Sequence, residues 1–217
     1  MKPKLFIFDM DGTLVDTEVI SRRAFEEAIK LCNCEIDEPL LDSFLGSNLV
    51  AVKQKLFDRY GRDWSLVDKI IEAKREIFNN ICEEEGVAVM PGVLKLLDYL
   101  KDRESKMAVA TSSYKKYAIE RLIKTGLIDY FSFVIAGDEI EHPKPAPDIY
   151  LKAASNFGIA PEDCMTFEDS ALGIKAARDA GMFTVLIPDT MEPTAEMLDN
   201  TDVLCKRIDN IIEVLEG

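Results

Sequence analysis

Two carboxylates stand directly after the first apolar run of the chain. The run Leu5–Phe8 is followed by Asp9 and Asp11 within the sequence DMDGT. The simpler interpretation is a turn, because Asp-Gly is a common turn dipeptide. Charge at the end of a buried strand is costly unless it is compensated, however. The second interpretation is therefore a reactive or metal-binding site completed by groups from elsewhere in the chain.

A second apolar run, Met107–Ala110, ends at Thr111, Ser112 and Ser113, which also begin a predicted helix. Hydroxyl groups and free backbone N–H groups at a helix N-terminus form an anion site. The simpler interpretation is ordinary N-capping by Ser or Thr. Thr111 and Ser112 are therefore candidate phosphate-binding residues.

A lysine between two prolines, Lys144, precedes another predicted helix. Prolines restrict the backbone on either side and so fix where the lysine side chain emerges. Most lysines are simply solvated, and that is the alternative. A lysine with a fixed position suits the neutralisation of a phosphate or a carboxylate.

A third apolar run ends in Glu168 and Asp169. These acidic groups could serve only as favourable charges at a helix N-terminus. Together with Asp9 and Asp11 at the same sheet edge, they would form a cluster of up to four carboxylates that repel one another without a cation. Oxygen-rich clusters of this kind suit Mg²⁺.

The elements that must position these groups alternate along the chain. From Pro91 onward, short apolar runs alternate with helical patterns, which predicts a parallel sheet covered by helices on both faces. The segment from Asp16 to Gly86 shows only helical periodicity. We therefore predict an α/β core formed by residues 1–15 and 87–217, with a helical insertion over residues 16–86. Ligands of such sheets bind beyond the carboxyl ends of the strands. The predicted strands are 107–110, 133–135, 165–167 and 184–187, and the predicted helices are 93–100, 115–124, 148–157, 171–180 and 207–215.

The composition is that of an ordinary globular protein of 217 residues, with 47% hydrophobic and 30% charged residues. The formal net charge of -14 argues against general binding to nucleic acid or to an anionic membrane surface. If the ligand is an anion, the positive charge that binds it must be local.

Cysteine usage favours a reduced cytoplasm. The five cysteines form an odd set, and no charged region with a long apolar stretch precedes them. Cys32 and Cys34 suggest metal or redox chemistry, but no second pair has zinc spacing and no histidine lies nearby. No window approaches the ~20 apolar residues that a membrane span needs.

Taken together, the motifs resemble those of the haloacid dehalogenase-like (HAD) hydrolases, in particular the subgroup with a helical cap that includes small phosphatases and β-phosphoglucomutase. Four motifs in order carry the resemblance: DMDGT at 9–13, ATSS at 110–113, KPAPD at 144–148 and EDSALGIKAA at 168–177. They span nearly the whole chain. The resemblance implies a Rossmann-like parallel-sheet core with an inserted α-helical cap domain.

The resemblance also implies roles for the residues. Asp9 would be the nucleophile that forms an aspartyl-phosphate, and Asp11 the acid and base. Mg²⁺ would be held by Asp9, Asp169 and the backbone carbonyl of Asp11, with Glu168 assisting directly or through water. Thr111 and the N–H of Ser112 would bind phosphate oxygens, and Lys144 would neutralise the nucleophile and the transferring group. The insertion would be a mobile cap that excludes water and sets specificity.

The leading expectation is a Mg²⁺-dependent phosphatase acting on a small phosphorylated metabolite such as a sugar phosphate. The alternative is a phosphosugar mutase like β-phosphoglucomutase. Relatives of that kind carry a histidine, an arginine and a serine at cap positions that correspond here to Ser21, Leu49 and Val52, which favours the phosphatase. A dehalogenase is disfavoured because dehalogenation does not need an acidic residue at the position of Asp11. A binding protein that has lost catalysis is disfavoured because all of the proposed reacting groups are present.

Two features stay open at this point. Relatives often carry a small or basic residue where this chain has Pro143, which would either shift Lys144 or stiffen its loop. The oligomeric state is not readable from the sequence, and a monomer is compatible with it. Four polar cap residues, Arg22, Asn48, Lys53 and Gln54, are interpreted as surface residues because their helices need solvated faces.

Overall fold

The computed structural model describes residues 2–44, 49–189 and 192–217. The chain divides into two compact units, Met1–Asp16 with Val87–Gly217 and Thr17–Gly86. Within the described residues, none of the helices combines the length and the apolarity that a membrane span requires.

The first unit contains a six-stranded sheet in which every neighbouring pair of strands is parallel. A separate antiparallel ribbon pairs β2 (Val15–Asp16) with β3 (Ala88–Val89), at the point where the chain leaves this unit and returns to it. The sheet order is β5-β4-β1-β6-β7-β8. Its strands are β1 (Leu5–Phe8), β4 (Lys106–Thr111), β5 (Phe133–Ala136), β6 (Cys164–Glu168), β7 (Phe183–Leu186) and β8 (Val203–Leu204).

The central strands are apolar on both faces because helices cover both faces of a parallel sheet. Every residue of β1 and of β6 is buried. Phe6 and Phe8 belong to one apolar cluster of this unit, whereas Leu5 and Ile7 belong to another. Alternate residues of β1 therefore pack into the two layers of helices.

In the described part of the first unit, six helices accompany the sheet. The predicted helices over 115–124 and 148–157 have the observed bounds. The predicted strands and the other helices agree to within one or two residues, except near the C-terminus, where a short 3-10 helix (Ile208–Asn210) precedes the final helix. The α/β fold class is confirmed. The helices are α5 (Val93–Lys101), α6 (Lys115–Lys124), α7 (Asp148–Phe157), α8 (Ala171–Asp179), α9 (Ala195–Asp199) and α10 (Ile211–Glu216).

Apart from single 3-10 turns, the sequence interpretation missed four short elements among the described residues. These are α9, β8 and the two strands of the β2–β3 ribbon. Each strand among them has only two residues, too few to show an alternating pattern. The ribbon also corrects the expectation that the segment from Asp16 contains no strand, because Asp16 is the last residue of β2.

In the described residues of the second unit, all regular secondary structure is helical, in agreement with the periodicity of the sequence. Its helices are α1 (Glu18–Leu31), α2 (Glu38–Phe44), α3 (Leu49–Arg59) and α4 (Trp64–Glu84). They share an apolar core that includes Phe25, Ile29, Leu56 and Ile70. Asp63 caps α4, because its carboxylate accepts hydrogen bonds from the backbone N–H groups of Ser65 and Leu66.

Three of the four polar cap residues have partners inside the helical unit. Arg22 pairs with Glu38 and Asp42. Lys53 pairs with Asp68, and Gln54 donates a hydrogen bond to Asp58. These contacts agree with the interpretation of surface residues. Asn48 lies outside the described residues.

Candidate active site

Three carboxylates meet where β1 and β6 end side by side. Asp9 follows β1, and its backbone N–H donates to the carbonyl of Phe167 across 2.9 Å. Glu168 is the last residue of β6 and Asp169 comes next. One oxygen from each of Asp9, Glu168 and Asp169 lies within 4.8 Å of the others. The parallel register of the two strands therefore brings residues about 160 positions apart into one cluster.

The turn after Asp9 is shaped around Asp169. Gly12 has a φ of +87°, and a Cβ at this position would overlap the carboxylate of Asp169. The hydroxyl of Thr13 donates to Oδ1 of Asp169 across 3.1 Å. The glycine of the DMDGT motif is thus required both for the backbone conformation and for the close approach of the second acidic motif.

Lys144 supplies the positive charge of the cluster. Its ammonium lies 2.6 Å from Oδ1 of Asp9, 2.6 Å from Oε1 of Glu168 and 3.1 Å from the carbonyl oxygen of Ala110. An ammonium has three N–H donors, so these contacts use all of them. Pro143 does not displace the lysine from the site. No hydrogen bond to Oδ2 of Asp9 is found among the described residues, so Lys144 holds only one of the two oxygens.

Glu168 is fully buried and hydrogen-bonded through both oxygens. Besides Lys144, the hydroxyl of Tyr150 donates to Oε1 across 2.5 Å. The backbone N–H and the hydroxyl of Ser170 donate to Oε2. A Cβ at Gly173 would overlap this carboxylate. The hydroxyl of Ser170 also accepts from the N–H of Gly173, so Ser170 caps α8 as the simpler interpretation of this motif requires.

The electrostatics of the cluster call for a cation. Burial and the nearby charge of Glu168 raise the pKa of Asp9 to about 7, although Lys144 opposes the shift. Burial, Glu168 and Asp9 raise the pKa of Asp169 well above its usual range. Burial disfavours the charged form of Lys144, but Asp9 and Glu168 outweigh it and raise its pKa. One ammonium faces three carboxylates, and a divalent cation would favour their ionised forms. The oxygen-only donor set fits Mg²⁺.

The end of β4 and the loop that follows it carry the candidate phosphate-binding residues. Thr111 is buried, and its hydroxyl accepts a hydrogen bond from the N–H of Ser113 across 3.1 Å. Ser112 is exposed. The backbone carbonyl of Ser112 lies so close to Gly137 that a Cβ there would overlap it. The loop is therefore packed against the residue that follows β5.

The expectation that Thr111, Ser112 and Ser113 begin the next helix is wrong. Helix α6 begins at Lys115, and the N–H of Lys115 donates to the carboxylate of Asp138, which lies in another segment. The backbone N–H of Ser113 instead donates a hydrogen bond to the hydroxyl of Thr111 and holds these two residues together. An anion at this loop would meet loop N–H groups and the Thr111 hydroxyl rather than the first turn of α6.

Asp11 lies outside the carboxylate cluster and contacts a different set of residues. Its Oδ2 accepts a hydrogen bond from the hydroxyl of Ser113 across 2.8 Å. Its Oδ1 lies 3.2 Å from Nη1 of Arg121. The side chain of Asp11 is 29% exposed, whereas that of Arg121 is 4% exposed. The side chain of Asp11 is thus not part of the candidate metal cluster.

The sequence interpretation missed two residues of the site, Arg121 and Tyr150. Tyr150 lies on the buried face of α7 with Ile149, Ala153 and Ala154. Its position in the sequence pattern therefore indicates an ordinary core residue. Arg121 occupies a position of the buried face of α6, between Ala118 and Leu122. A charged residue in an apolar stripe is the one signal that could have indicated it, because buried charges are normally paired.

Comparisons with known proteins agree with this geometry. A sequence model of the family described as haloacid dehalogenase-like hydrolase matches residues 6–187. The fructose-1-phosphate phosphatase YqaB of Escherichia coli is 35% identical, and the alignment covers 82% of this chain and 93% of that protein. The phosphorylated carbohydrates phosphatase of Thermotoga maritima is 28% identical, with 97% of each chain covered. The crystal structure of a CbbY variant from Rhodobacter sphaeroides in complex with xylulose-(1,5)bisphosphate is 26% identical, covers 96% of each chain and has a TM-score of 0.76.

Proposed function

Because the chain belongs to the haloacid dehalogenase-like hydrolase family, we propose that it is a Mg²⁺-dependent phosphatase that hydrolyses a small phosphorylated metabolite through an aspartyl-phosphate on Asp9. One observation carries the proposal. Asp9 has one oxygen held by Lys144 at 2.6 Å, while its other oxygen is available next to Glu168 and Asp169. This combination of a fixed nucleophile, a fixed cation and a carboxylate pair supports phosphoryl transfer.

In the first half-reaction, Oδ2 of Asp9 attacks the substrate phosphorus. A bond forms between this oxygen and phosphorus, and the bond between phosphorus and the leaving oxygen breaks. Asp11, in its protonated form, donates its proton to that oxygen, so that the product leaves as an alcohol. Lys144 stabilises the negative charge of the transferring group, assisted by Thr111 and the N–H of Ser112.

In the second half-reaction, water replaces the alcohol. Asp11, now a carboxylate, takes a proton from the water as its oxygen attacks phosphorus. The bond between phosphorus and Oδ2 of Asp9 breaks, inorganic phosphate leaves, and Asp11 is again protonated. Dividing the displacement into two steps allows one residue to act first as acid and then as base.

The residues that would hold Mg²⁺ are Asp9, Asp169 and the backbone carbonyl of Asp11, with Glu168 assisting directly or through water. When bound, the ion reduces the repulsion between an anionic nucleophile and an anionic phosphate. Glu168 has a further role within the protein, because its carboxylate and that of Asp9 together fix the Lys144 ammonium.

The substrate class that we propose is a sugar phosphate. Two similar phosphatases are named for fructose 1-phosphate and for phosphorylated carbohydrates, and a similar structure contains a sugar bisphosphate. We assign the selection of the sugar to the helical unit, Thr17–Gly86, as a cap domain. The particular sugar is not part of the proposal.

The alternative function is a phosphosugar mutase, in which the phosphoryl group returns to the substrate instead of passing to water. Val52, at a position where such relatives carry a polar residue, is buried in the helical unit. Its side chain is not available for polar contacts with a sugar phosphate. The phosphatase is therefore the first proposal.

The test is phosphate release from p-nitrophenyl phosphate and from a panel of sugar phosphates, with Mg²⁺ and with chelator. Asp9→Asn should lower turnover by about three orders of magnitude or more while the fold is retained. Asp163→Asn is a matched control, because Asp163 lies at the opposite end of β6 and pairs with Lys4 on the surface. Retained activity of Asp9→Asn would overturn the proposal.

A second assay separates the two functions. β-Glucose 1-phosphate is incubated with a sugar bisphosphate activator, and the products are identified. Free phosphate supports the phosphatase, whereas glucose 6-phosphate would establish the mutase. Halide release from a haloacid without added metal would instead indicate a dehalogenase.

A further inference from the structure

One contact of the first unit has no role in the mechanism described above. It joins the buried guanidinium of Arg121 to the carboxylate of Asp11. Arg121 is 4% exposed, and a buried guanidinium is costly unless charged and polar partners surround it. Its Nη1 lies 3.2 Å from Oδ1 of Asp11 and 3.0 Å from the hydroxyl oxygen of Ser113. The hydroxyl of Ser113 in turn lies 2.8 Å from Oδ2 of Asp11. The three side chains therefore form a closed triangle.

The donors in this triangle are directed at both oxygens of Asp11. A guanidinium has only N–H donors, so Oδ1 of Asp11 acts as an acceptor. The Ser113 oxygen accepts from Arg121, so its own proton is directed to Oδ2 of Asp11. Each side-chain oxygen of Asp11 therefore accepts one hydrogen bond. Two contacts on separate oxygens also hold the plane of the carboxylate.

Arg121 and Asp11 differ in burial in a way that suits a catalytic site. Arg121 is enclosed, whereas the side chain of Asp11 is 29% exposed and can meet a water molecule or a leaving group. Because Arg121 contacts Asp11 from the protein interior, it holds the carboxylate in position and leaves the exposed side of Asp11 accessible. This is how supporting residues preorganise a reactive group.

We propose that Arg121, together with Ser113, is a positioning residue for the side chain of Asp11. It holds the carboxylate in place to take a proton from the water that hydrolyses the aspartyl-phosphate. Arg121 does not touch the substrate and acts only through Asp11. The inference rests on the proposed function, because it assigns Arg121 to the second half-reaction of that mechanism.

The proposal predicts which half-reaction suffers when Arg121 is replaced. With p-nitrophenyl phosphate the leaving group is a stable anion that needs little proton donation, so formation of the aspartyl-phosphate should continue. Its hydrolysis should become slow. In Arg121→Met we expect kcat to fall about 10-fold to 100-fold, within the range for general base catalysis, and kcat/KM to change by less than about 3-fold. A change confined to kcat marks a step after the first irreversible one.

Two measurements do not depend on steady-state turnover. Rapid mixing of Arg121→Met with p-nitrophenyl phosphate should give a burst of p-nitrophenolate equal to about one per enzyme. Intact mass spectrometry of the same mixture, quenched in acid, should show a chain that carries one phosphoryl group. Arg121→Lys keeps a positive charge and should restore part of kcat. Arg178→Met is the matched control, because Arg178 is an ion-paired arginine on α8, and it should behave as wild type.

A double-mutant cycle tests whether Arg121 acts through Asp11. Asp11→Asn alone should slow hydrolysis of the aspartyl-phosphate, and adding Arg121→Met should slow it no further. Additive losses would overturn the proposal. If Arg121→Met does not fold, Arg121→Lys and Ser113→Ala carry the test, because each removes or alters one side of the triangle. Each should lower kcat more than kcat/KM.

The outcomes separate this inference from the proposed function. If the wild-type protein releases no phosphate from any ester in the presence of Mg²⁺, the proposed function fails. If the wild type is active but kcat and kcat/KM fall together in the Arg121 and Ser113 variants, without a burst and without a phosphorylated chain, then Arg121 is only structural and the inference alone fails.

Discussion

The ammonium of Lys144 lies 2.6 Å from Oδ1 of Asp9, although the two residues are 135 positions apart in the chain. The same ammonium is 2.6 Å from Glu168. Lys144 therefore joins the ends of two adjacent strands, β1 and β6, from a loop that belongs to neither of them. Two of the carboxylates that the proposed reaction needs are therefore held by one side chain.

Replacing Lys144 should affect both catalysis and stability. Lys144→Met removes the positive charge next to Asp9 and Glu168, so kcat/KM for p-nitrophenyl phosphate should fall about 10²-fold to 10³-fold. The melting temperature without Mg²⁺ should also fall, because the carboxylates lose their counter-charge. Lys116→Met, at an exposed lysine of α6, is the control. Equal activity of the two variants would show that Lys144 is dispensable.

The hydroxyl of Tyr150 should contribute to stability in addition to its buried ring. Its pKa is raised well above the usual range by burial and by Glu168, so the hydroxyl remains a neutral donor to Glu168. Tyr150→Phe should lower the free energy of unfolding by about 2 kcal/mol, because the contact is buried and charge-assisted. Tyr130→Phe removes a hydrogen bond to the carboxylate of Asp98 in a more exposed position and should cost less. Chemical denaturation of both variants provides the comparison.

Gly173→Ala should be harmful although alanine is the better helix former. In the interior of a helix this substitution normally stabilises by about 1 kcal/mol. Here the new Cβ would overlap the carboxylate of Glu168 and displace it from Lys144 and Tyr150. We expect a lower melting temperature and a lower kcat/KM. A variant that is more stable and fully active would mean that Glu168 can move without consequence.

Mg²⁺ should stabilise the wild-type protein through Asp169. A ligand at 100 times its dissociation constant raises the free energy of unfolding by about 2.7 kcal/mol, so Mg²⁺ should raise the melting temperature and chelator should reverse the change. Asp169→Asn should abolish this shift. Asp179→Asn, at a surface ion pair with Lys175 on α8, should retain it. An unchanged shift in Asp169→Asn would place the ion elsewhere.

Asp209 should stabilise the protein in a pH-dependent way. Burial opposes its ionisation, but Lys95 and Arg207 outweigh burial and lower its pKa. A lowered pKa in the folded state means that the stabilisation is present above about pH 4 and is lost as the pH falls through the folded value. Asp209→Asn should therefore be less stable than wild type at pH 7 by about 1 kcal/mol, since Lys95 and Arg207 are exposed and screened. The difference should shrink below pH 4, as measured by denaturation at each pH.

Much of the fold could be predicted because long elements carry periodic patterns. Helices α6 and α7 were predicted with their observed bounds, and the parallel sheet followed from the alternation of apolar runs and helices. The β2–β3 ribbon, β8 and α9 were missed because each has only two to five residues. Such elements are stabilised by the surfaces they pack on, and not by a pattern of their own.

By itself the sequence determined which residue types follow the strands or precede the helices: Asp9, Asp11, Lys144, Glu168 and Asp169. These residues could be recognised because each of their motifs directly follows or precedes a strand or helix that the hydrophobic pattern of the sequence predicts. Only the tertiary structure decided how these groups are supported, namely that Tyr150 holds Glu168 and that Arg121 and Ser113 hold Asp11. These contacts depend on the register between strands and on the facing of helices across the core, which residues nearby in sequence do not encode.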